Sequence, residues 1–242
     1  MEKINIITPV KDSIKLTLKT IEAIAASDLE VPFSYTVYND FSTAENTAQL
    51  GQVALQTGFQ LINLSDITQT PSPNYLLVLQ REQKRAIAEN AALCIVESDV
   101  IVEPHTLQTL FNETVKRPDA GMVAAVTIDS QGQINYPYIY AKGETMGIFA
   151  TDEVFSFCCT IITPALLRAY DFAQFDPAKV WYDAILTKTS LKLGFKNYLC
   201  TNLPVVHAPH SSRPWRSLKK KNPLKYYFLK LLGKHKKMKT QD

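Results

Sequence analysis

Long apolar runs are missing from this chain. No stretch approaches the ~20 consecutive apolar residues that a membrane-crossing helix needs. Met1-Glu2-Lys3 leads into a short strand-like run, not the extended apolar core of a signal peptide. Cysteine pairs with metal-finger spacing are missing too. Cys94, Cys158, Cys159 and Cys200 show no CxxC and lie in apolar runs, where a free thiol behaves as a small hydrophobe. Together these absences predict buried, reduced thiols in a cytoplasmic protein. Acid is nearly absent from the C-terminal end. Residues 213–242 carry eleven Lys or Arg against Asp242 alone, a net of +10, while the preceding residues carry fifteen bases against twenty-two acids, a net of −7. The formal net charge of +3 therefore conceals an acidic body and a basic tail.

The body itself is ordinary in composition. A length of 242 residues with 46% hydrophobic and 20% charged residues fits one large globular domain or two small ones. Residues 4–10 form an apolar run suited to a strand buried on both faces. Ser13 is a candidate N-cap for a helix to about Ala26, with Ile14, Leu18 and Ile21 on one face. Strands over 35–38 and 59–64 flank a helix over 45–56 that Gly58 stops. A loop at 65–75 precedes a helix over 77–91 and a buried strand over 92–96.

Pro104 suits the first turn of a helix to about Lys116, followed by a strand over 121–128 and a hairpin segment over 134–140. A strand over 155–162 leads to Thr163-Pro164, which caps a short helix. Asp176-Pro177 begins another, with Trp181, Ile185, Thr189 and Leu193 along one side. The last strand runs over 198–206, and the tail starts near Ser211. Alternating strands and helices predict a mainly parallel sheet covered on both faces. Ligands gather at the carboxyl ends of such strands, where three polar clusters fall: 8–12, 39–43 and 97–99.

With those clusters in place, the chain resembles the inverting family 2 glycosyltransferases of the GT-A fold over about residues 4–210. Ile6-Ile7-Thr8-Pro9-Val10-Lys11-Asp12 is similar to the family's first strand and turn. Asn39-Asp40-Phe41-Ser42-Thr43-Ala44-Glu45 looks like a worn Asp-Asp-Gly-Ser-Thr-Asp loop. Glu97-Ser98-Asp99-Val100 looks like the Asp-x-Asp metal motif, Tyr182-Asp183 like the acceptor-side Glu-Asp motif, and Val205-Val206-His207 like a late strand ending in His. Asn39, Phe41, Glu97, Tyr182 and Thr189 depart from the family pattern. The Gln-x-x-Arg-Trp motif of the processive branch is absent, so the resemblance implies one sugar added per encounter.

The resemblance implies a mainly parallel mixed sheet flanked by helices over 1–212, with a donor half over about 1–103, an acceptor half over about 104–212, and a basic amphipathic tail over 213–242. It makes Asp99 the ligand of Mg²⁺ or Mn²⁺, an ion that neutralises charge on a leaving nucleotide diphosphate. Glu97, with Ser98 beside it, would bond the ribose or reach the metal through water; the acid pair Glu97 and Asp99 also fits a strand end that faces solvent or caps the next helix. His207 would complete the metal site, or serve as a structural histidine. Asp40 would accept the N–H of a uracil-like base, which favours a UDP-sugar, and it equally fits an Asx turn. Thr8, Pro9 and Asp12 would border the same base. Asp183 would take the proton of the attacking acceptor hydroxyl, or lie on the polar side of an amphipathic helix. Trp181 and Tyr182 would form an acceptor platform or belong to the core.

In the tail, Pro223 opens a helix that Gly233 ends, with Leu224, Tyr227, Phe228 and Leu231 at helical spacing and Lys on the other faces. Such a helix suits an anionic membrane surface, each base contributing on the order of 1 kcal/mol; a solvated tail is the alternative. The acidic body argues against a nucleic-acid partner. The sequence thus predicts a cytoplasmic glycosyltransferase, peripheral at the inner face of the cell membrane, acting on a saccharide or lipid-linked saccharide in surface-polysaccharide assembly. A sugar-phosphate nucleotidyltransferase would need a Gly-rich basic loop after the first strand, and residues 8–14 hold no Gly and a single Lys. A non-catalytic nucleotide- or membrane-binding relative is the other alternative.

Overall fold

The computed structural model describes residues 3–179, 181–208 and 222–231. Four parallel strands, β1 (Ile4–Val10), β2 (Phe33–Asn39), β3 (Gln60–Asn63) and β4 (Ala92–Val96), alternate with helices α1 (Ile14–Ala25), α2 (Ala44–Thr57) and α3 (Tyr75–Ala88). The chain continues through β5 (Val100–Ile101), α4 (Thr106–Val115), β6 (Ala120–Ile128), β7 (Ile148–Ala150) and β8 (Cys159–Ile162). It then forms α5 (Pro164–Ala169), α6 (Tyr182–Lys192), β9 (Lys196–His207) and α7 (Pro223–Leu231). The sheet order is β3-β2-β1-β4-β8-β6-β9-β5, with β7 paired to β9. β8 enters antiparallel between β4 and β6, while β6 and β9 run parallel.

The central strands are apolar on both faces because both faces are covered. Alternate residues of β4 divide between two cores. Ala92, Cys94 and Val96 face Ile21 and Ile24 of α1, Leu50 of α2 and Leu110 of α4. Leu93 and Ile95 face Val78 and Leu79 of α3, Leu166 of α5 and Leu186 of α6. Each such aliphatic side chain contributes roughly 1.5–3 kcal/mol by leaving water. Gly58 ends α2 in the left-handed region (φ 78°), as the sequence predicts. Gly121 is required for another reason: a Cβ there would lie 2.1 Å from Ser190 Oγ, so only glycine lets β6 meet α6 this closely.

Several element boundaries differ from the sequence reading, each for a local reason. Ser13 precedes α1 but sits in the left-handed region, and its side chain caps nothing. Pro104 lies in a turn closed by Thr106 N–H on Glu103 O, and α4 starts at Thr106. α3 starts two residues before the expected Leu77. Of the 134–140 hairpin only an Ile128–Ile134 bridge forms, followed by a 3-10 turn over Ile139–Ala141. The expected strand over 155–162 is shortened to β8, because Phe155 N–H and Ser156 N–H donate to the hydroxyls of Thr187 and Tyr138 and join no ladder. Asp176 opens no helix. Its carboxylate accepts Ala178 N–H in an Asx turn, and α6 begins six residues later. The buried side of α6 is Tyr182, Leu186, Thr187 and Ser190; Trp181 and Leu193 are about half exposed.

One irregularity positions the site. Between Ala125↔Cys200 and Val126↔Pro204 the β6–β9 register slips, and Thr201–Leu203 bulge out of β9. Below the bulge β9 pairs with β7; above it, Val206 and His207 pair with β5. The end of the last strand is thereby laid beside residues 99–101.

Candidate active site

The three polar clusters converge at the carboxyl ends of β1, β2 and β4. Thr8 is fully buried, its Oγ1 accepting the Tyr35 hydroxyl at 3.1 Å, and Pro9 pairs with Tyr38 of β2. Asp12 (φ 54°) takes a left-handed turn and stitches two loops together. Its Oδ1 accepts Thr43 N–H at 2.9 Å and Asn46 Nδ2 at 3.0 Å, and its own N–H donates to Ser42 Oγ. Asp40 is almost fully buried. Its Oδ2 accepts Ser72 Oγ at 2.7 Å and Asn74 N–H at 2.8 Å, and its Oδ1 accepts Asn74 Nδ2 at 2.8 Å. A carboxylate offers about four acceptor positions. Asp40 therefore clamps the 72–74 loop over the strand ends and keeps one position on Oδ1.

At the end of β4 the chain turns tightly, with Val100 N–H on Glu97 O and Glu97 N–H on Cys158 O. Ser98 and Asp99 are buried there. Asp99 O accepts Ala208 N–H, and Asp99 Oδ2 lies 3.7 Å from His207 Nε2. The β5–β9 pair thus joins two residues 108 positions apart. His207 Nδ1 lies 3.1 Å from the Tyr136 carbonyl, which assigns the ring proton to Nδ1 and leaves Nε2 facing the carboxylates. Asn135 Nδ2 donates to His207 O and steadies the same corner.

Asp183 stands in the first turn of α6, where a helix N-terminus favours negative charge, and its Oδ1 accepts Ala184 N–H. It is close enough to bear on Glu97. Burial first, then the charges of Asp99 and Asp183, hold the Glu97 carboxyl above its usual range, while His207 pulls it back. Burial alone would lower the His207 pKa; Asp99 and Glu97 outweigh it and raise it. A carboxyl raised by burial and by neighbouring acids, beside a histidine raised by the same acids, marks ionisable groups crowded into one site.

Two residues of this corner carry no signal in the sequence. Cys158, read there as an inert core thiol, places Sγ 3.4 Å from Glu97 Oε2. Tyr75, the first residue of α3, has a buried hydroxyl with no hydrogen-bond partner. Burial raises its pKa, and the charges of Glu97, Asp183 and Cys158 raise it further, which places the hydroxyl among them. Its ring packs on Phe157 and Tyr182 at 6.3 Å. Tyr182 is itself a core ring, 5.1 Å from Phe175, so only Trp181 of the expected platform is open to solvent. A buried hydroxyl without a partner near carboxylates is a group that a bound polar guest can satisfy. Glu97, Cys158 and His207 each present one ligating atom within 4.8 Å of the others, and the donor set suits a divalent cation.

A mixed, partly parallel sheet with helices on both faces and acids at its strand ends is the GT-A type of α/β fold. The solved structures bear this out. The S. aureus TarS fragment 1-349 superposes with a TM-score of 0.61 at 17% identity, over 85% of this chain and 60% of that one. The same fragment in complex with UDP-GlcNAc gives 0.59 at 15%, over 86% and 59%. The mannosyltransferase PcManGT from Pyrobaculum calidifontis, in complex with GDP-Man and Mn²⁺, gives 0.60 at 15%, over 94% and 64%. This chain spans less than two thirds of the length of each. No protein-family model matches it, and no curated protein does.

Proposed function

We propose that the protein is a metal-dependent glycosyltransferase that moves a sugar from a nucleotide donor, a UDP-sugar first, to a saccharide or lipid-linked saccharide. The observation that carries this reading is the meeting of Asp99 and His207, through the β5–β9 pair, beside Glu97 at the carboxyl end of β4, where the charge of Asp183 also bears. Structures of the same fold are solved with UDP-GlcNAc, UDP and GDP-Man with Mn²⁺. Residues 8–12 and 39–46, stitched by Asp12, would cradle the base and ribose, with Asp40 Oδ1 turned to the base. Asp99 and His207, with Glu97, would hold Mn²⁺ or Mg²⁺, which when bound neutralises the diphosphate.

Asp183 would accept the acceptor hydroxyl's proton as that oxygen bonds to the anomeric carbon. The bond from that carbon to the diphosphate oxygen breaks, and its electron pair leaves with the nucleotide. A single displacement inverts the anomeric centre. Exposed Leu224, Tyr227 and Phe228 on α7, within a stretch of sequence rich in Lys and Arg, support a peripheral place on an anionic membrane, where lipid-linked acceptors for surface polysaccharide lie.

Asp183→Asn tests the assignment. It should abolish turnover while donor affinity stays within about twofold, since the carboxamide fills the same space and accepts no proton. Retained turnover would remove Asp183 as the base.

A further inference from the structure

Cys158 is the member of the metal-ligating group that glycosyl transfer does not employ. The Val96↔Cys159 pairing of β4 with β8 fixes it beside the end of β4, where its carbonyl accepts Glu97 N–H and its Sγ lies 3.4 Å from Glu97 Oε2. The Ser156 hydroxyl, 3.3 Å away, holds the thiol from the other side. Asp99 Oδ2 adds a fourth atom, 3.7 Å from His207 Nε2.

Ligands bound to one tetrahedral ion at about 2.0–2.3 Å lie about 3.3–3.8 Å apart. The Cys158–Glu97 and Asp99–His207 separations are near that spacing; Glu97, Cys158 and His207 offer ligand atoms within 4.8 Å of one another, and Asp99 joins them from the side of His207. The outer contacts fit as well. A histidine ligand normally donates its other ring N–H to a carbonyl, as His207 does to Tyr136. The unpartnered Tyr75 hydroxyl, buried near the same carboxylates, is an independent sign that the corner is built for a guest.

We propose that Glu97, Asp99, Cys158 and His207 form a tetrahedral site for a thiophilic divalent cation of the Zn²⁺, Co²⁺ and Cd²⁺ class. Mg²⁺ and Mn²⁺ prefer oxygen and keep positions open for water or phosphate. A thiophilic ion takes the sulfur, and four protein ligands leave it no open position. Such an ion excludes the donor diphosphate, so Zn²⁺ inhibits where Mn²⁺ supports. The exclusion step rests on the glycosyltransferase reading; the binding step rests on the four side chains alone.

Cobalt titration of the protein tests the binding step without substrate. Co²⁺ should produce intense visible bands of a tetrahedral ion and a near-ultraviolet sulfur-to-cobalt band, both removed by excess Zn²⁺. Cys158→Ser should lose the sulfur band while Cys200→Ser, with its thiol buried elsewhere in the core, keeps it. Where Cys158→Ser fails to fold, X-ray absorption of the Zn²⁺-loaded wild-type protein gives the answer directly, with one sulfur and otherwise nitrogen and oxygen neighbours expected. A shell of oxygen and nitrogen alone, or a sulfur band that survives Cys158→Ser, overturns the site. Absence of the band in a protein that still binds nucleotide overturns it while leaving the donor site intact. The band in a protein that binds no nucleotide supports it while the glycosyltransferase reading falls.

Discussion

Glu89 draws three donors onto one carboxylate at the end of the sheet away from the candidate site. Lys3 Nζ lies at 2.6 Å, Asn5 Nδ2 at 2.9 Å and Arg85 Nε at 3.1 Å. Burial acts to raise its pKa, but those hydrogen bonds outweigh it and bring the value down to about 2 from 4.5. A carboxyl depressed in the folded state stabilises the fold fully above its unfolded pKa and loses that contribution as pH falls through the folded one. The window is therefore pH 4.5 down to about 2. Glu89→Gln should lower stability at neutral pH by roughly 1 kcal/mol, the scale of a solvent-screened ion pair, and flatten the acid limb of the stability curve. Denaturant unfolding across that window checks it; an unchanged acid limb would contradict the assignment.

Single residues at the strand ends were legible to differing degrees. Asp99, Asp183 and His207 stood out because each is a polar residue of a motif at a fixed place in an alternating pattern, and all three lie in one corner. Cys158 and Tyr75 were invisible because a cysteine in an apolar run and a tyrosine opening a helix look like packing residues. Only the antiparallel insertion of β8 and the packing of α3 turn them toward the carboxylates.

Among the elements, strands were read more faithfully than helix starts. An apolar run buried on both faces marks itself, and 4–10 and 92–96 match β1 and β4. Helix starts misled where Asp or Pro made a turn instead, as at Asp176 and Pro104, because both residues serve turns and caps by the same hydrogen bonds. The tail helix was legible in part. Among the described residues, Pro223 opens α7 and Leu224, Tyr227 and Phe228 share its exposed face; Tyr226, which the spacing left out, is the buried residue. The start of the tail near Ser211, residues 213–221, and the stop at Gly233 lie outside the described residues. No helix among the described residues is long and apolar enough to cross a membrane. An amphipathic face flanked by bases is a different device, binding a surface through partial burial and charge. Removing residues 213–242 should cut sedimentation with anionic vesicles at least tenfold and leave neutral vesicles unaffected. Undiminished binding to anionic vesicles would contradict a membrane role for the tail.

At the scale of the whole molecule, the fold brings distant segments to one edge. Parallel β1, β2 and β4 bring residues 8–12, 39–46 and 97–99 together, and the bulged β9 returns His207 to Asp99. The parallel half followed from alternation alone. The antiparallel entry of β8 and the split pairing of β9 did not, since neither leaves a period in the sequence. The central claim is that this edge holds a nucleotide diphosphate through a divalent ion. It is tested most directly by thermal unfolding of the protein with UDP, GDP, CMP or dTDP, each with and without Mn²⁺. The account predicts that a nucleoside diphosphate, UDP foremost, raises the melting temperature with Mn²⁺, and that Asp99→Asn abolishes the shift. At about a hundredfold over Kd the stabilisation should reach about 2.7 kcal/mol. No shift with any of the four nucleotides in the presence of Mn²⁺ would contradict it.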